Sequence, residues 1–340
     1  MTKRKWIVVM MVAVFSLAAL LSGCGQKADA PKAAEGPKYK LKLATGLPEG
    51  YPVADAMIQY AKNIKEKSKG EVEITVFNNG TLGQERDIIE GLKMGTIDMA
   101  DVNASMMSAF APRWQVFALP YVFESEEHML KAVNGPIGQS LMKDLEKSGL
   151  KGMALQWTGF RSITTKKGPI NTPDDLKGLK IRVMPAKTFV DTINMMGAIA
   201  TPMDQGAVYN ALQSGVLDGW ENSPATVIAF KMHEVCPYYS YTKQFVAPNM
   251  VIASLKSFEK LPPEIQKLLM DEAVASQKYE SDLFQKAQAD AVQKLTAQGM
   301  KFNEVDTQPF MERTKPIWKT LEGEIGKDIL DGIDALRAKK

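Results

Sequence analysis

Tyr39-Lys-Leu-Lys-Leu-Ala-Thr45 alternates polar and apolar residues in the way a half-buried strand does. Pro52 to Ser68 then carries the apolar spacing of an amphipathic helix, closed by Gly70. Val72-Glu-Ile-Thr-Val-Phe77 alternates again, and Asn78-Asn-Gly80 with Leu82-Gly83 supplies a turn. Glu85 to Met94 predicts a second helix, stopped by Gly95, and Thr96-Ile-Asp-Met-Ala-Asp-Val102 a third strand. Strands that alternate with helices of this length build a parallel sheet with helices on its faces.

Downstream the same alphabet returns. Gly152 to Trp157 and Leu179-Lys-Ile-Arg-Val183 predict strands, the second introduced by the helix-start signal Thr172-Pro-Asp-Asp-Leu. Phe189 to Met196 and Asp204 to Ser214 predict helices, and Val246 to Ser254 a strand that returns to the first lobe. Pro262 to about Gln298 is almost unbroken helix former, about 55 Å long at the α-helical rise. Such a helix can run across two lobes. Gly299 ends it, and Met300 to Lys340 supplies a short strand and terminal helices. The expected fold is therefore α/β, with two lobes and a cleft between them. Ligands in such folds sit beyond the carboxyl ends of the strands.

The amino-terminal end reads differently. Lys3, Arg4 and Lys5 precede an apolar run from Ile7 to Leu21, which ends in Leu21-Ser22-Gly23-Cys24. Basic, apolar and small-residue segments in that order define a secretory signal, too short for a stable span. A cysteine directly after the small residues matches a lipobox, so residues 1–23 are expected to be cleaved and Cys24 to carry lipid. The Ala-, Lys- and Pro-rich stretch up to residue 38 has tether composition. Cleavage would leave 39 Lys+Arg against 39 Asp+Glu. A chain with no basic field is not built for nucleic acid. No later run of about 18 apolar residues follows, so the body reads as soluble. Cys236 is then the one remaining cysteine, and packing is its expected role. His128 and His233 lack partners at metal-ligand spacing, and no metal or cofactor is expected.

Five motifs, in order, carry a family resemblance. They are Val76-Phe-Asn-Asn-Gly-Thr-Leu-Gly-Gln-Glu-Arg-Asp87, Phe117-Ala-Leu-Pro-Tyr-Val-Phe123, Gly159-Phe-Arg-Ser-Ile-Thr-Thr165, the run from Pro169 to Val183, and Ala211-Leu-Gln-Ser-Gly-Val-Leu-Asp-Gly-Trp-Glu-Asn222. Together they resemble the DctP family, the solute-binding subunits of tripartite ATP-independent periplasmic (TRAP) transporters, over about Tyr39 to Ile325. The resemblance implies a two-lobed periplasmic-binding (Venus-flytrap) fold and an organic-acid ligand passed to TRAP membrane subunits. It also implies a long helix spanning both lobes. The lobes are expected at 39–158 with 247–285, and at 159–246 with 286–340, after a signal peptide (1–23) and a tether (24–38). A monomer is expected, held at the membrane by the Cys24 lipid.

The resemblance makes Arg182 the carboxylate anchor, with Arg161 and Asn222 in the same corner. Spacing alone reads Arg182 as a surface salt-bridge residue. Its place near a strand's carboxyl end, and the match of a guanidinium fork to a carboxylate, suit the anchor reading. Arg161 either touches the ligand or braces Arg182 and Asn222. Asn222 either contacts the ligand or caps a turn. Asn103, Gln205, Glu49 and Trp220 are further candidates, for reading hydroxyls or stacking on a sugar face. Trp157 and Tyr209 are expected in the core or hinge, and the Met106, Met107, Met195 and Met196 pairs in the core. Trp220 stands where many family members have glutamine, and Ala207 where many have glutamate. No second cationic subsite is evident, which favours a sugar acid such as a uronate or aldonate over a C4-dicarboxylate. Gly-x-Ser-x-Gly, His-Glu-x-x-His, phosphate-loop and dinucleotide motifs are all missing, which argues against an enzyme. A binding protein for an ABC importer would share the bilobal logic but not these motifs. A sensor subunit would be compatible with them.

Overall fold

In the computed structural model, residues 36–337 are described; the predicted signal peptide, Cys24 and most of the tether lie outside them. The chain runs β1 (Tyr39–Thr45), α1 (Pro52–Lys67), β2 (Val72–Phe77), α2 (Glu85–Met94) and β3 (Met99–Asn103). Two 3-10 segments, Ala104–Ala109 and Pro112–Ala118, lead to α3 (Glu126–Asn134) and α4 (Pro136–Glu146). Next come β4 (Leu150–Gln156), β5 (Phe160–Thr165), β6 (Lys180–Val183), α5 (Lys187–Met196), β7 (Ile199–Pro202), α6 (Gln205–Gln213), β8 (Gly219–Asn222) and α7 (Pro224–Ala229). β9 (Tyr238–Val246), β10 (Asn249–Ser254), α8 (Leu255–Phe258), α9 (Pro263–Ala297), β11 (Lys301–Glu304), α10 (Gln308–Ile325) and α11 (Lys327–Asp334) complete it.

Two mixed sheets result. The first has the order β2-β1-β3-β10-β4, with β1 parallel to β2 and β3, and β10 antiparallel to β3 and β4. The second has the order β11-β9-β5-β8-β6-β7. In it β6 runs parallel to β7 and β8, and β5 antiparallel to β8 and β9. The β-α-β-α-β reading of 39–102 and the long-helix reading both match these elements. The expected single strand from Val246 to Ser254 is instead the junction of two, because Ala247-Pro248 breaks the ladder where the chain changes sheets. β5, β7, β8, most of β9, α3, α4, α7 and α8 were not read from the sequence.

The chain passes between sheets three times: at Trp157–Gly159, at Ala247–Pro248, and along α9. Gly159 has φ +74°, and a Cβ there would lie 2.8 Å from Cε1 of Phe284 on α9, so conformation and space both require glycine. The Ala247 carbonyl accepts from Thr158 Oγ1 and from Asn103 Nδ2, each at 2.8 Å, which ties two of the crossings together. α9 is anchored in both halves. Leu269 and Ala273 join the core under the first sheet with Leu43, Met57 and Val251; Ala291 and Leu295 join Leu212, Trp220 and Tyr239 under the second. Complete burial of a side chain the size of Leu269 or Leu295 contributes about 1.5–3 kcal/mol.

Ile317, Leu321, Ile325, Ile329 and Ile333 of α10 and α11 pack into the core of Trp114, Phe117 and Leu141, on the first sheet's side. Phe310, at the start of α10, packs with Phe189 and Phe245 of the other lobe. The carboxyl-terminal segment thus packs against both cores. Cys236 is fully buried among apolar residues, and burial pushes its thiol up to about 12. His128 is buried, accepting from the Glu124 N–H and meeting the Ile333 carbonyl at 2.8 Å. Met106, Met107 and Met196 are core residues; Met195, one helical step aside, is exposed. Among the described residues no helix is long and apolar enough to cross a membrane, and no metal-binding cluster occurs.

Candidate functional site: a cleft at the strand ends

The carboxyl ends of β1, β3 and β6 and the start of α2 converge on a cleft of about 200 Å³. Drug-sized pockets run roughly 300–1,000 Å³, so this one suits a small metabolite. Gln84, at the start of α2, faces Gly206 on α6 across it, where an added Cβ would lie 3.4 Å from Gln84 Nε2. Across its floor the Tyr51 hydroxyl meets Thr226 Oγ1 at 3.0 Å, linking one lobe to the other.

Two arginines line the cleft, and their surroundings differ. Arg161, near the start of β5, is paired edge-on with Glu221 of β8: Nε to Oε2 at 2.6 Å and Nη2 to Oε1 at 2.8 Å. Nη2 also donates to the Glu221 carbonyl, and Nη1 to Asn222 Oδ1 at 3.1 Å. Burial alone would lower the Arg161 pKa, but the Glu221 carboxylate holds it above its usual value by charge and hydrogen bonding. Arg182, on β6, is 2% exposed. It donates to the Met203 carbonyl at 2.7 Å and to Gln205 Oε1 at 3.2 Å, both neutral. Among the described residues no carboxylate lies within ion-pair distance of it. Burial brings its pKa down to about 10, and the nearby Arg161 charge adds to that, against the pull of Glu221. It is therefore a buried cation at neutral pH that lacks a counter-ion.

Asn222 ends β8, and its Oδ1 accepts from Arg161 and from the Ser223 N–H at 2.9 Å, which leaves the Nδ2 amide for the cleft. Gln205, the first residue of α6, has its Oε1 on Arg182 while its Nε2 is buried without a partner. A buried donor left unmet costs about 1–3 kcal/mol, and a bound acceptor would remove that penalty. Asn103 ends β3 and lines the cleft, but most of its capacity is spent on Ser105 and on the Ala247 carbonyl.

Two predicted residues are not in the cleft. Trp220 is fully buried in the core with Tyr239 and Leu295. It stands two residues before the end of β8, about 7 Å deeper than Asn222 at the strand's rise, and α6, α7 and α9 cover it. Glu49 is exposed on the turn after β1; the inward residue of that turn is Tyr51. Trp157 is buried against Phe160, as expected, whereas Tyr209 is a half-buried surface residue bonded to Glu234.

Glu85, Asp101 and Asn249 were not read as candidates. Glu85 accepts from the Asn103 N–H at 2.8 Å; burial raises its pKa, partly offset by that bond and by the two arginines. Asp101 accepts from Asn249 Nδ2, and burial raises it well above the carboxylate range. The signal for Glu85 was present in the quoted Thr81-Leu-Gly-Gln-Glu85 turn, an acid placed at a helix start opposite strand ends. Asp101 looked like any polar position of an alternating strand.

A two-sheet fold with an interlobe helix and a polar cleft holding one uncompensated cation defines a bilobal solute-binding protein. The family model for bacterial extracellular solute-binding protein family 7, DctP, matches residues 43–324, and the chain belongs to that family. It is an extracytoplasmic binding protein of the TRAP type, not an enzyme. It is 34% identical to a TRAP periplasmic solute-binding protein from Pseudomonas putida F1, solved with bound D-glucuronate; the match covers 88% of this chain and 98% of that one, with a TM-score of 0.85. A counterpart from Xanthobacter autotrophicus Py2, solved with β-D-galacturonate, is 30% identical, covering 87% and 100%, with a TM-score of 0.84. The C4-dicarboxylate-binding protein DctB of Bacillus subtilis is 28% identical over 88% of this chain and 86% of its own.

Proposed function

We propose that this protein captures a sugar acid of the uronate class in the cleft and delivers it to TRAP membrane subunits. One observation carries the reading: Arg182 is buried with neutral partners only, so its charge awaits a ligand carboxylate. A charge-assisted bond of this kind contributes about 1.5–3 kcal/mol net. Gln205 Nε2 and Asn222 Nδ2 are the adjacent donors, and Glu85 and Asn103 face the ligand's hydroxyl groups. Arg161 braces Asn222 rather than anchoring the acid, because Glu221 already satisfies it.

The rest of the cleft disfavours a second carboxylate. Among the described residues no cation but the two arginines lines it, whereas Glu85, Asp101 and Asp204 do. A C4-dicarboxylate would set its second acid among these oxygens. The name of the Bacillus subtilis relative keeps that class as the alternative; the solved relatives with uronates support the sugar acid.

Ligand capture works by population shift. A ligand that touches both lobes stabilises the closed form, and the motion is taken up at Gly159, at Ala247-Pro248 and within α9. We further propose that the mature protein is a monomer tethered by lipid on Cys24. Its lobes are residues 39–158 with 247–285, and 159–246 with 286–307, while 308–334 is packed on both. Growth with labelled palmitate, and its loss in Cys24→Ser, tests the anchor.

The central test is calorimetry on the unlipidated domain with D-glucuronate, D-galacturonate, succinate, malate and D-glucose. Tight binding of a uronate and none of glucose is expected. Preference for succinate or malate would transfer the protein to the dicarboxylate class, and binding of glucose alone would remove Arg182 as the anchor.

A further inference from the structure

The polar groups behind the cleft are not explained by ligand capture alone. On the first sheet, cross-strand pairing of Val251 with Asp101 and Ala154, and of Asn249 with Gln156, puts Asp101, Asn249 and Gln156 on one face. Lower on that face Leu43, Met99, Ala154 and Val251 pack against α1 and α9. The face therefore turns from apolar to polar as it nears the cleft, with α9 packed along its β4 side.

α9 changes character at the same level. Between its apolar anchors Ala273 and Phe284, the buried residues are Ser276, Gln277, Glu280 and Ser281. Ser276 donates to the Ala273 carbonyl, Gln277 to the Leu155 carbonyl and Asn134, and Ser281 to Glu126. Glu280, at the helix midpoint, is completely buried, and neither carboxyl oxygen makes a well-aligned hydrogen bond, although the Trp157 amide lies close enough to act on it. Asp101 Oδ2 and both side-chain atoms of Gln156 are likewise buried and unmet. Five unmet atoms from three residues of facing elements exceed what a native interior tolerates, whereas one or two waters would satisfy them. Asp101 and Asn249 also line the cleft, which gives water a way in.

We propose that Asp101, Gln156 and Glu280 enclose a buried water site that extends the cleft to the midpoint of α9, with Glu280 taking part as a neutral acid that donates a hydrogen bond. The site does not depend on which acid the cleft binds. Among the described residues no cation acts on Glu280: Asp101 on β3, itself buried and raised, and Glu126 on α3 both favour its neutral form, and Tyr51 is a phenol. Burial is the largest cause, and raises the carboxyl well above its usual value; the Trp157 amide only partly opposes it.

The sign of the pH effect follows. A carboxyl raised on folding keeps its proton in the native state after the unfolded chain has lost it. Its stabilising share is therefore full below the unfolded value, about 4.3, and is lost as pH rises toward the folded value.

The test is the isosteric change Glu280→Gln, read three ways. In high-resolution crystals of the wild type, ordered water within hydrogen-bond distance of Glu280 and Gln156 is expected; direct pairing of these side chains, or a dry gap, overturns the site. The infrared spectrum at neutral pH should show a protonated-carboxyl band that Glu280→Gln removes; an unchanged spectrum overturns the neutral acid. The variant's melting temperature should exceed the wild type's by more at about pH 8 than at about pH 5, and equal gains at both would contradict the proton's role.

Discussion

Arg161 and Arg182 lie in one cleft, on strands of one sheet, and are almost equally buried, yet they do different work. Arg161 has a carboxylate partner on the neighbouring strand, with both oxygens engaged and its remaining edge on Asn222. Arg182 has a carbonyl and an amide. The first arginine is complete within the protein and holds the shape of the corner. The second has no bonded carboxylate, and the nearby Glu221, Glu85 and Asp204 offset its desolvation only in part until an anion arrives. Burial does not distinguish a structural arginine from a binding one; the identity of its partners does.

The sharpest way to break this comparison is Arg161→Met. It strands the Glu221 carboxylate, and removing one partner of a buried pair costs about 3–5 kcal/mol. A large drop in the ligand-free melting temperature is expected, with much of it restored in Arg161→Met/Glu221→Leu. A ligand-free protein as stable as the wild type would sink the bracing role.

Arg182→Ala should do the reverse. Affinity is expected to fall by about 2–5 kcal/mol, measured by calorimetry, while the ligand-free melting temperature holds or rises because a lone buried charge has gone. If both arginine variants lost stability alike, the distinction between them would be wrong.

Gln205→Ala comes next. It removes the buried Nε2 donor and one neutral partner of Arg182, and about 1–2 kcal/mol of affinity should go with it. Its ligand-free stability should change little, since relief of the unmet donor offsets loss of the bond from Arg182. Trp220→Phe is the smallest in its effect on the ligand. It removes an indole N–H that has no partner in the core and leaves a modest void. Uronate affinity is expected to stay within about twofold, with a stability change of about 1–2 kcal/mol. A tenfold loss of affinity would return Trp220 to the site.

Much of this protein was legible from its residues. The alternation of Tyr39–Thr45 and Val72–Phe77, the turn glycines and the helix-forming run ending before Gly299 all depend on periods of 2 and 3.6, which neighbours in sequence carry. β5 and β8 escaped notice because Phe160–Thr165 and Gly219–Asn222 are short central strands, buried on both sides and so without alternation. Arg182, Arg161, Asn222, Asn103 and Gln205 were all singled out from the sequence, by motif and strand-end position, and the fold brings all five to the cleft.

What the sequence could not decide was depth and partnership. Trp220 and Asn222 are two residues apart on one strand, and only the packing of α6, α7 and α9 puts one in the core and the other at the rim. Glu49 and Tyr51 share a turn, and only the chain's path chooses which points inward. Local pattern set the elements and the identity of the chemical groups, because both are properties of neighbouring residues. Which arginine is already paired, which carboxyl is buried without a partner, and where the two lobes meet are properties of groups 20 to 180 residues apart along the chain, as in Arg161 with Glu221, Arg182 with Gln205, Tyr51 with Thr226, and Asp101 beside Glu280. Long-range contacts of that kind exist only once the two sheets and α9 have closed around them.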